Sequence, residues 1–273
     1  MISLRHLPAR LGPAALGLAL IASFTLATAP VLAAESGSTD IVSSSSGLVF
    51  YQSLRDAAGH YVGCTASSTM MMLNFISFAH TGGSNFKWSI TTAAAKEASI
   101  MNWERAASKG APINMTMLLS SSGSDPHGWR NALNYYGWGS KSAGVYVDKS
   151  YTSFAAAAGA AVLAMAHTGK PVGIMGWAGR HAQFINGYRW TGIDPKKATK
   201  STDFKIVGIW ITDPYGPDQS QNKYLTISQW QSGPSTVRFS AYHETDSPYR
   251  DPIDGQIGRT EWYGKWVVIL PTR

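Results

Sequence analysis

The chain has 273 residues, 44% of them hydrophobic, with 23 basic side chains against 16 acidic ones and a formal net charge of +7. That length supports a domain with a substantial core. A single cysteine excludes an internal disulfide framework, and no nucleic-acid-binding motif accompanies the basic balance.

Arg5 and Arg10 precede an apolar segment from Leu11 to about Thr28, and A-P-V-L-A-A-E then supplies small residues. This succession predicts a secretory signal peptide over residues 1–33, hence a secreted protein with no stable membrane insertion after cleavage. An uncleaved anchor is the weaker reading, because the segment is short and interrupted by Gly and Pro. Removing the two arginines leaves 21 basic against 16 acidic residues, a net +5 that suits an anionic cell surface. Residues 34–47 are polar and Ser-rich and read as a flexible linker. One domain is expected over 48–273.

Order is expected to begin with a short strand from Leu48 to Gln52. Next comes Y-V-G-C-T-A-S-S-T-M-M-M-L-N-F-I-S-F, Tyr61 to Phe78, which holds Cys64, the lone cysteine. Its apolar positions are too dense for a one-sided stripe, so it reads as a buried helix headed by Cys64 and stopped at Gly82-Gly83. A cysteine in a first helical turn meets free N–H groups and the helix dipole, both of which favour a thiolate. Packing as a small inert residue is the competing explanation. Thr91–Ala107 looks helical, Met115–Leu119 is a further short helical piece, and Ser120–Pro126 reads as a loop.

Gly128–Tyr136 has a helical pattern stopping at Gly137. Tyr151–His167 is an Ala-rich helix closed by Gly169, with His167 structural in its last turn. Short β-rich runs follow at Pro171–Met175, His181–Tyr188, Ile206–Asp213 and Trp266–Leu270. Helices first and strands afterwards predict an α+β domain, its N-terminal helical part packed on a C-terminal antiparallel sheet.

A thiol nucleophile needs a base, and the base needs an orienting group. His181 opens one strand and Asp213 closes the next. If the two runs pair antiparallel, His181 lies opposite Asp213, and the loop Arg189–Lys205 closes the far end. An oxyanion donor is the fourth requirement, and Gln52 at the end of the first strand is the candidate, beside the backbone N–H of Cys64. No cofactor is called for. His60, His80, His127 and His243 show no metal-ligand spacing. Most of the ten tryptophans fall in apolar runs and read as core, and Lys196, Lys197 and Lys200 read as a solvated loop tip.

These runs resemble the papain-like cysteine peptidases, most closely the branch similar to bacteriocin-leader-processing peptidases. The resemblance rests on Tyr51-Gln52, on C-x-x-x-S-x-M-M-M-L-N from Cys64 to Asn74, and on G-K-P-V-G-I at Gly169–Ile174. H-A-Q-F-I-N-G-Y at His181–Tyr188 and I-T-D-P at Ile211–Pro214 complete it, in the family's order. It implies a papain-like fold and a peptide or protein substrate. It also implies Cys64 as nucleophile, His181 as general base and acid, Asp213 as orienter and Gln52 as oxyanion donor. The chain departs from the pattern twice. Thr65-Ala66 replaces the usual Gly-Pro, and Gln52 stands twelve residues before Cys64, further than usual. Transglutaminase-like or cell-wall amidase acyl transfer uses the same Cys, His, Asp order, and an inactive peptide-binding module uses the same scaffold.

Overall fold

Helix α1 (Cys64–Thr81) starts at the cysteine and stops directly before Gly82-Gly83. The structure, a computed structural model, describes residues 36–40, 62–81, 93–109, 124–215, 222–234, 238–243 and 258–273. The expected signal peptide, the Leu48–Gln52 strand and the Met115–Leu119 piece lie outside them. From Cys64 to Ile76 every side chain of α1 is buried, so the helix has no solvent face over its first three turns. Enclosing Met70, Met71, Met72 and Leu73 contributes about 1.5–3 kcal/mol each.

Helices α2 (Ala93–Lys109) and α3 (Pro126–Trp138) pack against α1. The apolar pattern places α3 two residues late and gives Ser120–Pro126 wholly to a loop. In the structure Asp125 is the N-cap, its carboxylate accepting from the Gly128 N–H at 2.9 Å, and Pro126 takes the first helical position, where a missing N–H is harmless. The helix also passes through Gly137 and ends on Gly139. No described helix is long and apolar enough to cross a membrane.

Seven strands form one antiparallel sheet among the described residues: β1 (Ser36–Asp40), β2 (Tyr146–Tyr151), β3 (Val172–Gly176), β4 (His181–Gly192), β5 (Phe204–Thr212), β6 (Lys223–Thr226) and β7 (Trp266–Pro271). The order is β2-β7-β3-β4-β5-β6, and β1 joins β4 beyond the end of β3. Two strands correct the reading from sequence. β1 lies inside the expected flexible linker, because a strand pairs through its backbone and Ser-rich composition does not forbid that. β2, Y-V-D-K-S-Y, overlaps the expected helix at Tyr151 and is otherwise unanticipated. It carries Asp and Lys and lies at the sheet's edge, held by β7. The sheet is therefore not confined to the C-terminal part of the chain.

Helix α4 (Phe154–Thr168) is capped by Ser153 and ended by Gly169, and His167 bonds the Ala198 carbonyl at 3.0 Å, a structural role. Short helices α5 (Ile227–Ser232) and α6 (Gly258–Trp262) complete the set. The sheet separates two cores. In β7, Val267 and Ile269 join the residues of α1 and α3, whereas Val268 and Leu270 join those of α4. The result is an α+β fold with α1–α3 on one face of an open antiparallel sheet and α4 on the other. Gly173, in the G-K-P-V-G-I run, belongs to this packing: a Cβ there would lie 2.6 Å from the Trp129 ring.

Candidate active site

The thiol of Cys64 sits at the start of α1, where the first N–H groups have no acceptor within the helix. Ser68, one turn on, donates to the Ala182 carbonyl at 3.4 Å. That bond ties the head of α1 to the beginning of β4, beside His181. The imidazole is hydrogen-bonded to Asp213, and Cys64 is close enough to raise its pKa. Its Nε2 lies 2.6 Å from Asp213 Oδ1. All three side chains are nearly enclosed, with 7%, 3% and 4% exposure for Cys64, His181 and Asp213.

The strands pair as expected, but two residues out of the expected register. Phe184 faces Thr212, so the ladder, continued by one pair, sets Gln183 opposite Asp213 and places His181 on the diagonal. Residues 181 and 183 share a face, so both reach the carboxylate. Gln183 Nε2 donates to Asp213 Oδ2 at 2.6 Å, and the Tyr215 N–H donates to Oδ1 at 2.8 Å. Sequence reasoning missed Gln183. Its signal was a polar residue two positions after His181 in an otherwise apolar strand. The hairpin is also longer than the expected Arg189–Lys205 loop allows, since β4 runs to Gly192 and β5 starts at Phe204. Asp194 lies in the far turn, where its carboxylate accepts from the Lys196 N–H. Lys196, Lys197 and Lys200 are exposed there.

Burial alone would lower the imidazole's pKa. The hydrogen bond to Asp213, the proximity of Cys64 and the charges of both groups outweigh it and raise the value to about 10. His181 is thus held as an imidazolium between two acidic groups. Trp177 lies 4.8 Å and Tyr215 5.9 Å from the imidazole, ring centre to ring centre. The tight turn that presents Trp177 is strained: Trp177 and Ala178 take φ of +50° and +60°. Gly179 follows at φ +98°, and a Cβ there would meet the Tyr242 ring at 2.5 Å. The turn is pinned from outside by the Ala178 N–H to Ser240 Oγ and by the His243 N–H to the Ala178 carbonyl, both at 2.8 Å. Gln52, the expected oxyanion donor, lies outside the described residues.

A second polar cluster escaped the spacing argument. His127 Nε2 is 3.2 Å from Glu261 Oε2 and 3.5 Å from Asp148 Oδ2. Arg130 bonds Asp148 Oδ1 at 2.5 Å, and the Trp262 indole donates to Oδ2. Two carboxylates thus meet a guanidinium and an imidazole in a polar set that ties α3, β2 and α6 together. These three potential ligand atoms, from His127, Asp148 and Glu261, lie within 4.8 Å of one another.

No known family model matches the chain, and no curated protein matches it.

Proposed function

We propose that the protein is a papain-like cysteine peptidase that hydrolyses peptide bonds, with Cys64, His181 and Asp213 as its catalytic triad. One observation carries the reading: a lone cysteine at a helix N-terminus lies close enough to a buried histidine to raise its pKa, and that histidine's Nε2 is held by a buried aspartate. A merely structural cysteine has no need of that chain.

In this reading the Cys64 thiolate, paired with the His181 imidazolium, attacks the scissile carbonyl carbon. The negative charge that develops on the oxygen is met by N–H groups at the head of α1. Gln52 is the side-chain donor proposed beside them. As the tetrahedral adduct collapses, His181 gives its proton to the leaving amine, and a thioester remains on Cys64. His181, now neutral, takes a proton from water, which attacks the thioester and frees the acid. Asp213 keeps the ring oriented through both steps, and Gln183 and the Tyr215 N–H hold Asp213 in turn. The expected secretion signal and net positive charge direct the proposal to peptide or protein substrates outside the cell.

The test is cleavage of a mixed peptide library by the mature protein, read as new termini by mass spectrometry. Cleavage that disappears in Cys64→Ala supports the proposal. No cleavage by the folded wild type, or cleavage that persists in Cys64→Ala, refutes it.

A further inference from the structure

The first two turns of α1 are strongly polar for a stretch with no solvent face. Thr65, Ser67, Ser68 and Thr69 are all fully buried. Buried hydroxyls need partners, and these find them outside their own helix. Thr65 donates to Glu104 Oε2 at 2.5 Å and Thr69 to Glu104 Oε1 at 3.0 Å. Ser67 donates to Glu97 Oε1 at 2.5 Å, with the Gly63 carbonyl also in reach at 2.9 Å. Glu97 and Glu104 stand seven residues apart on α2, two turns along one face, and are 2% and 0% exposed. Apolar side chains would join two helices without burying two carboxyl groups. What carboxyl groups add is direction: a slide or rotation of α1 breaks all three bonds together.

We propose that Glu104, supported by Glu97, is a positioning residue that fixes the head of α1 so that the Cys64 thiol points at His181. The proposal rests on the reading of Cys64 and His181 as nucleophile and base. Thr65 is the residue after Cys64, so the Thr65–Glu104 bond acts one peptide unit from the thiol. It also explains the departure from the family's Gly-Pro: here a threonine hydroxyl supplies a contact which that pair cannot.

Glu104 does this as a neutral acid at ordinary pH, because burial raises its carboxyl to about 8. Arg105 neighbours it on α2 and feels both Glu104 and Cys64. Asp125, the cap of α3, opposes its ionisation, and Tyr136 of α3 is shifted upward mainly by burial, with Glu104 adding to the rise. When Glu104 ionises, a charge stands buried between α1 and α2, and its desolvation cost loosens the contact that fixes the head of α1. The wild type should therefore lose activity as pH rises through about 8, ahead of the loss set by His181 near 10.

The experiment measures kcat, KM and the iodoacetamide alkylation rate of Cys64 against pH in the mature protein and its variants. Glu104→Ala is expected to lower kcat and alkylation about ten- to a hundredfold while KM stays put, the size expected for a misplaced reacting group. Glu104→Gln is a neutral isostere that can still bond both hydroxyls. It should keep most of the rate and lose the fall near pH 8. Thr65→Val, which removes one hydroxyl and keeps the shape, covers the case in which Glu104→Ala does not fold, and should slow alkylation in the same sense. Wild-type rates in folded Glu104→Ala or Thr65→Val, or an unchanged fall near pH 8 in Glu104→Gln, overturn the proposal. A wild type that alkylates rapidly but cleaves no peptide refutes the peptidase reading alone, since the alkylation series still decides this one. A wild-type thiol inert until denaturation overturns both.

Discussion

Replacing Glu104 by Gln should change how stability depends on pH. The Glu104 carboxyl is fully enclosed, and burial raises it from an ordinary 4.5 to about 8, against the hydroxyls of Thr65 and Thr69 and the charge of Arg105, with Asp125 adding to the rise. In the unfolded chain the proton leaves near 4.5; in the folded protein it stays until about 8. Between those values the native state holds one more proton than the unfolded state, so stability falls as pH rises. The contribution is complete below 4.5 and gone above 8. At about 1.4 kcal/mol per pH unit, the whole interval amounts to at most about 5 kcal/mol. His181, also raised, gives a slope of the same sign from about 6.5 to 10, but it is common to both proteins and cancels in the comparison. Urea unfolding of wild type and Glu104→Gln near pH 5 and near pH 8 measures the difference. The variant should gain on the wild type by at least about 2 kcal/mol over that range. A difference that does not change with pH would refute the buried neutral acid.

Cys64→Ala and His181→Ala should each abolish turnover, because nucleophile and base act as a unit. Asp213→Ala should leave residual activity, Gln183→Leu should cost less than Asp213→Ala, and Asp194→Ala in the far turn should cost little; a folded Asp194→Ala that is crippled while Asp213→Ala is not would show the wrong aspartate was assigned. Gln52→Ala should lower kcat by about 10²–10³-fold, as losing one oxyanion donor does. Arg130→Met should destabilise the protein by about 3–5 kcal/mol in urea unfolding, because it leaves Asp148 buried beside Glu261 without its guanidinium. Ala178→Gly should raise stability by about 1 kcal/mol, since Ala178 holds a left-handed conformation that glycine adopts without strain; an unchanged or lower midpoint contradicts that.

Cys64, His181 and Asp213 were legible because each sits at a boundary that local sequence marks: a helix head after Gly63, a strand start after Gly179, and a strand end before Pro214. The meeting of His181 and Asp213 followed from antiparallel pairing alone. The register did not, because the far turn closes with Gly192 opposite Phe204, two residues off the expected pairing, and nothing in the apolar runs marks where that turn tightens; the irregularities at Ile185/Gly187 and Arg189/Trp190 cancel each other. β1 and β2 were hidden for another reason. Both are polar segments whose strand conformation is imposed by β4 and β7 rather than by their own side chains. Glu97 and Glu104 look like ordinary charges on a surface helix until the Ser/Thr run of α1 is seen to be enclosed. His127, Asp148 and Glu261 come from three distant places in the chain, and no spacing rule gathers them.

The central claim is that Cys64 carries the acyl group. Incubating the mature protein with an activated peptide ester and quenching in acid traps the acyl-enzyme for mass spectrometry. The account predicts an acyl adduct on the peptide containing Cys64, formed in the folded wild type and absent in His181→Ala. Turnover of the ester with Cys64 never acylated, or acylation that proceeds equally well without His181, would contradict it.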